Sequence, residues 1–244
     1  MRVGVILPAA GLGTRMGRAA AEKTGTSRKQ FMLLEGSPIL VHTVRKFAAI
    51  AAVTEIVISV RAEDMEWVAE LMAGEFTARR VRVVEGGNSR QQSVSNALAS
   101  LAPDIDLVAV HDAVRPFIEA ETIHRVFEEA QATGAAIVGV PVVDTVKQVS
   151  HGTGRVKIRG TLQREKLVLA QTPQVFRHEL LVRAFELAQK DGFTGTDESS
   201  LVERLDVEVG VVLGSDRNIK ITKPGDMDLA HLFFHEFAAK EFGR

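Results

Sequence analysis

The sequence predicts an α/β protein with a Rossmann-like, doubly wound and mostly parallel sheet from which one β-hairpin protrudes. Short β-branched runs alternate with segments of helical periodicity, and one polar segment breaks that alternation. The chain has 244 residues, a normal length for one large α/β domain. We therefore expect a single domain over residues 1–244 that carries a hairpin at about 144–164.

The first element is a continuous apolar run, Val3 to Leu7, which is typical of a strand buried on both faces of a parallel sheet. A secretory signal also places apolar residues near a chain start, but this run is short for one. No stretch of transmembrane length occurs elsewhere in the sequence. The pattern therefore favours a buried strand and no membrane partner.

A glycine-rich turn follows this strand. Gly11 and Gly13 precede Arg15, and Lys29 comes after a longer stretch, so the segment offers backbone N–H donors and two cations to a triphosphate. A dinucleotide fingerprint and a Walker A loop started at Gly11 both require a glycine where Met16 stands. Taken alone, the segment also fits an ordinary tight turn with a solvated arginine.

The remaining elements alternate along the chain. Strands are predicted near 55–60, 80–85, 106–111, 136–142, 166–170 and 207–213, and helices near 39–49, 62–72, 89–101, 122–132, 179–189 and 197–204. Such alternation indicates βαβ units, whose right-handed crossovers bring the carboxyl ends of the strands to one edge. Ligands of open α/β sheets bind at that edge.

Two polar motifs fall at the predicted edge. Gly87 and Asn88 follow the third strand and open a helix that contains Ser93, while Asp112 and Arg115 follow the fourth strand. A carboxylate beside a triphosphate suits Mg²⁺, although Asp112 also suits an ion pair with Arg115, and both roles can hold. Taken alone, Gly87 and Asn88 fit a turn, and Ser93 fits an ordinary helix serine.

The segment 144–164 alternates small or β-branched residues with cations about a glycine-containing turn, which predicts a polar β-hairpin. Because it has few apolar residues for the domain core, we expect a second chain to cover it. Pro224–Glu241 predicts a packing helix. His231 and His235 are spaced as in a zinc motif, but Leu232 stands where the motif requires Glu, so helix surface is favoured.

Composition excludes several function classes. Lys and Arg number 30 against 31 Asp and Glu, a net charge of −1 that provides no basic face for nucleic acid. The chain has no cysteine, which excludes disulfides, thiolate chemistry and zinc–cysteine sites and fits a cytoplasmic location.

Eight segments, in order over nearly the whole chain, carry a resemblance to a known family: residues 8–17, 29–31, 86–88, 110–116, 144–147, 171–176, 196–200 and 218–222. They closely resemble the 2-C-methyl-D-erythritol 4-phosphate cytidylyltransferases. That resemblance implies a nucleotide-diphospho-sugar transferase type of fold. It also implies transfer of CMP from CTP to an alditol phosphate with release of pyrophosphate, a divalent cation such as Mg²⁺, and a homodimer that exchanges its arms.

The resemblance also assigns residues. Those matching catalytic positions are Arg15, Lys29 and Lys220. Those matching nucleotide contacts are Pro8, Ala9, Ala10, Gly11, Gly13, Gly87, Asn88, Ser93, Asp112 and Ala113. Those matching the acceptor site are Asp112, Arg115, Thr145, Arg164, Thr172, Thr196 and Lys220. Asp112 matches the metal position, and Asp216 fits either a metal contact or a turn.

The sequence departs from the family pattern at two places. The stretch between Arg15 and Lys29 is longer than expected, so Arg18, Lys23 or Arg28 could share the role of Lys29. Asn88 replaces an acidic residue, and its carboxamide can still complement the edge of cytosine.

Three other functions compete. A ribitol 5-phosphate cytidylyltransferase would share most of these residues, and a hexose 1-phosphate or molybdopterin-type nucleotidylyltransferase would differ in its base. A non-catalytic nucleotide sensor would have no need for Lys29, Lys220 and Asp112 together.

Overall fold

The computed structural model describes residues 1–11, 28–76, 80–152 and 155–241. Its strands are β1 (Val3–Pro8), β2 (Leu33–Leu34), β3 (Ser37–Pro38), β4 (Val53–Val60), β5 (Arg80–Glu85), β6 (Leu107–Val110), β7 (Ala135–Pro141), β8 (Lys147–Gly152), β9 (Arg155–Thr161), β10 (Val168–Arg177) and β11 (Gly210–Leu213). Its α-helices are α1 (Ile39–Ala48), α2 (Met65–Glu75), α3 (Arg90–Ser100), α4 (Ala120–Thr133), α5 (His178–Asp191), α6 (Ser199–Val202) and α7 (Pro224–Glu241).

Seven strands form the central sheet in the order β11-β7-β10-β6-β1-β4-β5. Strand β1 lies parallel to β4 and β6, and β11 lies parallel to β7, whereas β10 runs antiparallel to both of its neighbours. The α/β class and the mostly parallel sheet predicted from the sequence are therefore confirmed.

Strand β1 is buried on both faces, which explains its continuous apolar run. Val5 packs into the cluster formed with α1, α2 and α4, while Ile6 packs into a second cluster with α3 and α5. Helices thus cover both faces of the sheet, and the ends of its parallel strands meet at one edge.

The strand predicted near 166–170 is wrong in its bounds. A 3₁₀ turn occupies Arg164–Lys166, and β10 continues from Val168 to Arg177 through a register shift and a cis Thr172–Pro173 peptide bond. Polar residues and a proline hide this strand in the sequence, since Pro normally interrupts a sheet ladder. Two further elements are shorter than predicted, namely α6, which a 3₁₀ turn extends, and β11.

The predicted hairpin is present as β8 and β9, which form a two-stranded sheet of their own. Val156 and Ile158 on β9 are 62% and 64% exposed. Apolar side chains on a two-stranded ribbon gain little in water without a partner surface.

A third, smaller apolar cluster, here called the satellite core, lies beside the sheet. It comprises Met32, Leu34, Ile39, Val114, Phe117, Ile221 and Ala230. The Ile221 backbone N–H donates to the Val114 carbonyl at 3.0 Å, and the rings of Phe117 and Phe233 meet edge to face. Helix α7 therefore shares one apolar cluster with β2, with the loop after β6 and with the segment that precedes the helix, as expected of a packing helix. Among the helices of the described ranges, none has the length and apolar character of a membrane span.

Candidate active site

A cavity of about 700 Å³ opens at the carboxyl ends of β1, β4, β5 and β6. Eleven of the residues predicted for the site line it, namely Pro8, Ala9, Ala10, Gly11, Lys29, Gly87, Asn88, Ser93, Asp112, Ala113 and Lys220. The structure therefore brings the glycine-rich turn, the second glycine turn and the loop after β6 to one place.

Other predicted residues lie elsewhere. Thr172 and Arg115 contact Asp112 from behind the cavity wall. Thr145, Arg164 and Thr196 are exposed and are not part of that wall. Gly13 and Arg15, like Arg18 and Lys23, lie outside the described residues.

The first wall of the cavity is the turn after β1. The Ala9 N–H donates to the Ser59 carbonyl at 2.7 Å, and the carboxamide of Gln30 donates to the carbonyls of Ala9 and Gly11 at 2.6 and 3.1 Å. Gln30 is 2% exposed, so its hydrogen bonds form away from water. Gln30 was not among the predicted site residues, although it follows Lys29 directly.

The second wall is the turn Gly86–Asn88. Gly86 donates its N–H to the Val60 carbonyl at 2.7 Å, and a Cβ placed on Gly86 would lie 2.7 Å from Cβ of Ala10. The two turns therefore touch at Gly86, where there is no room for a side chain. Ser93 Oγ accepts the Gly87 N–H at 3.0 Å, so this serine fixes the turn in addition to lining the cavity.

Asp112 lies at the centre of the charges on the cavity wall. Oδ2 lies 2.9 Å from Nζ of Lys220 and 3.2 Å from Nε of Arg115, and Oδ1 lies 3.6 Å from a guanidinium nitrogen of Arg90. The predicted ion pair with Arg115 is therefore present. Burial would raise the pKa of Asp112, but Lys220, Arg90 and Arg115 hold it well below its usual range. The carboxylate is ionised at neutral pH.

Hydrogen bonds fix the loop that carries Asp112. The Asp112 N–H donates to Oγ1 of Thr172 at 3.0 Å, that hydroxyl lies 3.1 Å from Nδ1 of His111, and Nε2 of His111 lies 3.0 Å from the Arg115 carbonyl. Because a carbonyl accepts, Nε2 carries the proton and Nδ1 accepts from Thr172. Burial lowers the pKa of His111 to about 4, so the imidazole is neutral.

Arg115 also connects the loop to the segment that contains Lys220. Its guanidinium donates to the Asn218 carbonyl at 2.6 Å, and the Asn218 carboxamide donates to Gln171 Oε1 and to the Thr172 carbonyl. The segment that carries Lys220 is thereby held near Asp112 by residues of the loop after β6 and of β10.

Two cations that line the cavity were not predicted as site residues, Arg61 and Arg90. Arg61 donates to Glu63 at 2.8 Å, and Arg90 bonds Glu198 at 2.6 Å. The position of Arg90 at the start of α3, directly after the glycine turn, is the sequence signal that could have identified it. Arg28, which could share the role of Lys29, pairs with Glu63 and Asp64.

The donor set was tested for a metal. Within the described ranges, no group of three or more His, Cys, Asp or Glu side chains is arranged to hold an ion. Oδ2 of Asp112 already accepts from two cations, which leaves Oδ1 as the oxygen for a metal carried by nucleotide phosphates. Asp216 is exposed in a turn, and His231 lies 2.7 Å from Glu35 on the surface of α7.

Backbone walls suited to a flat base lie on one side of the cavity, and cations gathered about a buried carboxylate lie on the other. This arrangement at the strand ends of an α/β fold fits a nucleotidyltransferase, because backbone turns can enclose a nucleotide and cations can stabilise its phosphates. Within that class, the chain belongs to the family "IspD: 2-C-methyl-D-erythritol 4-phosphate cytidylyltransferase", whose family model matches residues 3–236. The chain is therefore a CTP-dependent cytidylyltransferase, and the family does not favour the ribitol phosphate alternative.

Named relatives agree with this assignment. The chain is 74% identical over 240 residues to the 2-C-methyl-D-erythritol 4-phosphate cytidylyltransferase of Solibacter usitatus, covering 98% of each chain. It is 53% identical to the protein of the same name from Acidobacterium capsulatum, covering 98% of this chain and all of that one. The crystal structure of 4-diphosphocytidyl-2C-methyl-D-erythritol synthase from Anaerococcus prevotii superposes with a TM-score of 0.81 at 26% identity, covering 96% of each chain.

Proposed function

We propose that the cavity binds CTP and transfers its cytidylyl group to the phosphate of 2-C-methyl-D-erythritol 4-phosphate. The observation that carries the proposal is the buried Asp112 carboxylate, held by Lys220 and Arg115 between two glycine turns. A phosphate oxygen of the acceptor forms a bond to the α-phosphorus of CTP. The bridging bond to the β-phosphate breaks, and pyrophosphate leaves with the electron pair.

The two turns supply the nucleotide pocket. Residues 8–11 line the same cavity as Gly87, Asn88 and Ser93, so that cytosine and ribose are enclosed largely by backbone groups. Gly13, which lies outside the described residues, is assigned to this pocket by the family resemblance alone. Backbone contacts of this kind do not depend on long side chains and lose little conformational entropy on binding. Ala113, on the neighbouring loop, completes the wall.

Charge stabilisation is the chemical task of the cations. Lys29, Arg15 and Lys220 neutralise the charge that accumulates around the α-phosphorus in the transition state. Asp112 fixes Lys220 in position through the 2.9 Å ion pair. Positioning and charge stabilisation are sufficient for this chemistry, since the substrate phosphate is itself the nucleophile.

A divalent cation, Mg²⁺ in our proposal, neutralises triphosphate charge when bound. The residue that would hold it is Asp112, through Oδ1, which lies 3.6 Å from a guanidinium nitrogen of Arg90. A single protein carboxylate is typical where substrate phosphates and water supply the other ligands.

The acceptor pocket needs residues from two chains in this proposal. Arg115, Thr172 and Thr196 come from the chain that binds CTP. Thr145 and Arg164 lie on the arm, where they are exposed in their own chain. The copies of Thr145 and Arg164 that complete this pocket therefore come from the arm of the second chain. Each chain is a single catalytic domain that extends the arm 144–164 to its partner in a homodimer. The exposed Val149, Val156 and Ile158 support this arrangement, because a partner surface would remove them from water.

The test is a comparison of acceptors. Purified protein with Mg²⁺ and CTP is expected to release pyrophosphate with 2-C-methyl-D-erythritol 4-phosphate and to form the cytidine diphosphate adduct. Release with ribitol 5-phosphate alone would reject the proposed acceptor. GTP and UTP serve as base controls, and preference for either would reject the proposed nucleotide. We assign the reaction to the cytoplasm, in keeping with a chain without cysteine.

A further inference from the structure

Glu198 is a buried carboxylate to which the mechanism above gives no task. It is 1% exposed, and both of its oxygens lie near one guanidinium nitrogen of Arg90, at 2.6 and 2.9 Å. Removing a carboxylate from water costs several kcal/mol, and an ion pair at best offsets that cost. A buried pair is therefore weak evidence for stability, and its position in the molecule indicates what it does.

Arg90 connects two parts of the site. It is the first residue of α3, after the glycine turn that walls the cavity, and it lines the cavity itself. Its second terminal nitrogen lies 3.6 Å from Oδ1 of Asp112. Burial would lower the pKa of Arg90, but Glu198 and Asp112 raise it, so the guanidinium remains charged. Burial raises the pKa of Glu198 and Arg90 opposes that rise, so the charge on Glu198 depends on its contact with Arg90.

Glu198 belongs to the other side of the site, two residues after Thr196. Its backbone is fixed by Gln174 of β10, whose Oε1 accepts the N–H groups of Glu198 and Ser199 at 3.1 and 3.0 Å. The same carboxamide donates to Asp197 at 2.7 Å. Gln174 is 1% exposed, so this attachment is buried.

A second contact joins the same two segments. The Gln91 carboxamide, one residue after Arg90, accepts the Gly195 N–H at 2.9 Å and donates to the Phe193 carbonyl at 3.1 Å. The start of α3 and the loop around Thr196 are thus fastened at two adjacent residues. Of the two contacts, the Arg90 contact is the one that reaches Asp112.

We propose that Glu198 is a positioning residue that acts through Arg90. Glu198 holds the Arg90 guanidinium near Oδ1 of Asp112, while Lys220 and Arg115 contact Oδ2, so that the carboxylate that positions Lys220 is oriented by contacts at both oxygens. The same contact sets the distance between the nucleotide wall and the loop of Thr196. This inference rests on the proposed function, because it assigns nucleotide and acceptor to those two sides.

Glu198→Gln tests the inference, because it preserves shape and removes the charge. Without that charge Arg90 is attracted towards Asp112 alone, and we expect kcat to fall by at least tenfold and the KM for the acceptor phosphate to rise. The Kd for CTP should change by less than about threefold, since the backbone walls remain. Glu203→Gln, an exposed site on the next turn of the same segment, is the matched control and should leave all three constants unchanged.

A double-mutant cycle with Arg90→Lys identifies the route. If Glu198 acts through Arg90, the double variant should lose no more activity than the worse single variant, whereas independent effects would multiply. Multiplying effects would overturn the inference. So would a Glu198→Gln enzyme with a lower Tm and unchanged kcat and KM, since that result indicates a structural ion pair.

Two safeguards make each result interpretable. If Glu198→Gln fails to fold, the variant Arg90→Lys replaces it, because Arg90 is the partially exposed partner of the pair. Its kcat, its KM for the acceptor phosphate and its Kd for CTP are then measured. If these constants are unchanged, the inference is again overturned. The wild-type enzyme is assayed alongside with CTP and 2-C-methyl-D-erythritol 4-phosphate. An inactive wild type rejects the proposed function, while an active wild type matched by Glu198→Gln rejects the positioning role.

Discussion

Lys220 and Asp112 form an ion pair of 2.9 Å that joins the loop after β6 to the segment before α7. The 2.9 Å between Nζ of Lys220 and Oδ2 of Asp112 lies within the usual range for a charge-assisted hydrogen bond. The pair places a lysine ammonium beside the cavity while keeping its position fixed.

Lys220→Ala and Lys29→Ala should each lower kcat by roughly 10²–10³-fold, the usual effect of removing one preorganised charge-stabilising group. CTP binding should weaken far less, because the glycine turns remain. Steady-state kinetics combined with calorimetric CTP titration separate the two effects. Lys223→Ala, an exposed lysine three residues beyond Lys220, is the control. A variant with normal kcat and a raised KM for CTP would mean that the lysine acts in ground-state binding.

The exchange of arms can be measured by complementation. In a mixed dimer of Arg164→Ala and Lys29→Ala chains, one site collects both substitutions and the other collects none. Random pairing makes about half of the dimers mixed, so activity should recover to roughly a quarter of wild type. Pyrophosphate release from the two inactive parents, mixed and allowed to exchange subunits, provides the measurement.

The matched control mixes Lys29→Ala with Lys220→Ala. Both residues line the cavity of their own chain, so every site in a mixed dimer lacks one lysine and activity should not recover. Recovery in this control, or its absence with Arg164→Ala despite proven subunit exchange, would contradict the arm arrangement.

Gly86→Ala should weaken CTP binding by tenfold or more. The new methyl group would lie 2.7 Å from Cβ of Ala10 and 3.2 Å from the Val60 carbonyl, so the two turns must separate. Gly74→Ala is the control, since a methyl group there meets nothing within 4 Å and favours α2 by up to about 1 kcal/mol. Calorimetric titration with CTP and thermal unfolding measure both effects. Unchanged CTP affinity in Gly86→Ala would show that contact between the turns is dispensable.

His111 should remain neutral, with its proton on Nε2, down to about pH 5. Its pKa is lowered from 6.5 to about 4, so the unfolded chain binds the extra proton between these values. The free energy of unfolding should therefore fall as pH decreases through this window, by about 1.4 kcal/mol per unit from this group. Nitrogen-15 NMR of labelled histidine reports the tautomer, and a doubly protonated His111 at pH 5.5 would contradict the hydrogen-bond assignment.

The sequence predicts the parallel strands and both glycine turns because their signals are local. Strand β10 was placed wrongly because Gln171, Thr172 and Gln174 are polar, yet all three are buried. Their hydrogen-bond partners include Asn218, His111 and the loop around Glu198, which lie far away along the chain. Burial of a polar side chain depends on those remote partners, and no pattern within the strand itself contains that information.

Two side chains of the site that the sequence does not predict, Gln30 and Arg90, have the same explanation. Glutamine and arginine are common on protein surfaces, so neither residue type signals a site. Gln30 matters because it donates to the carbonyls of Ala9 and Gly11. Arg90 matters because it contacts Glu198 and Asp112. In the proposed homodimer the positions of Thr145 and Arg164 relative to a cavity depend on a second chain, so a single sequence predicts them through resemblance alone.

The satellite core has a consequence for inactivation by heat. Met32, Val114 and Ile221 lie within three residues of Lys29, Asp112 and Lys220 respectively. They belong to the satellite core, which includes Ala230 of α7, and not to the two apolar clusters of the central sheet. Small peripheral clusters open at lower free-energy cost than a central sheet does. Warming should therefore disperse the three charged groups while the strands are still paired, and turnover should vanish several degrees before circular dichroism registers unfolding.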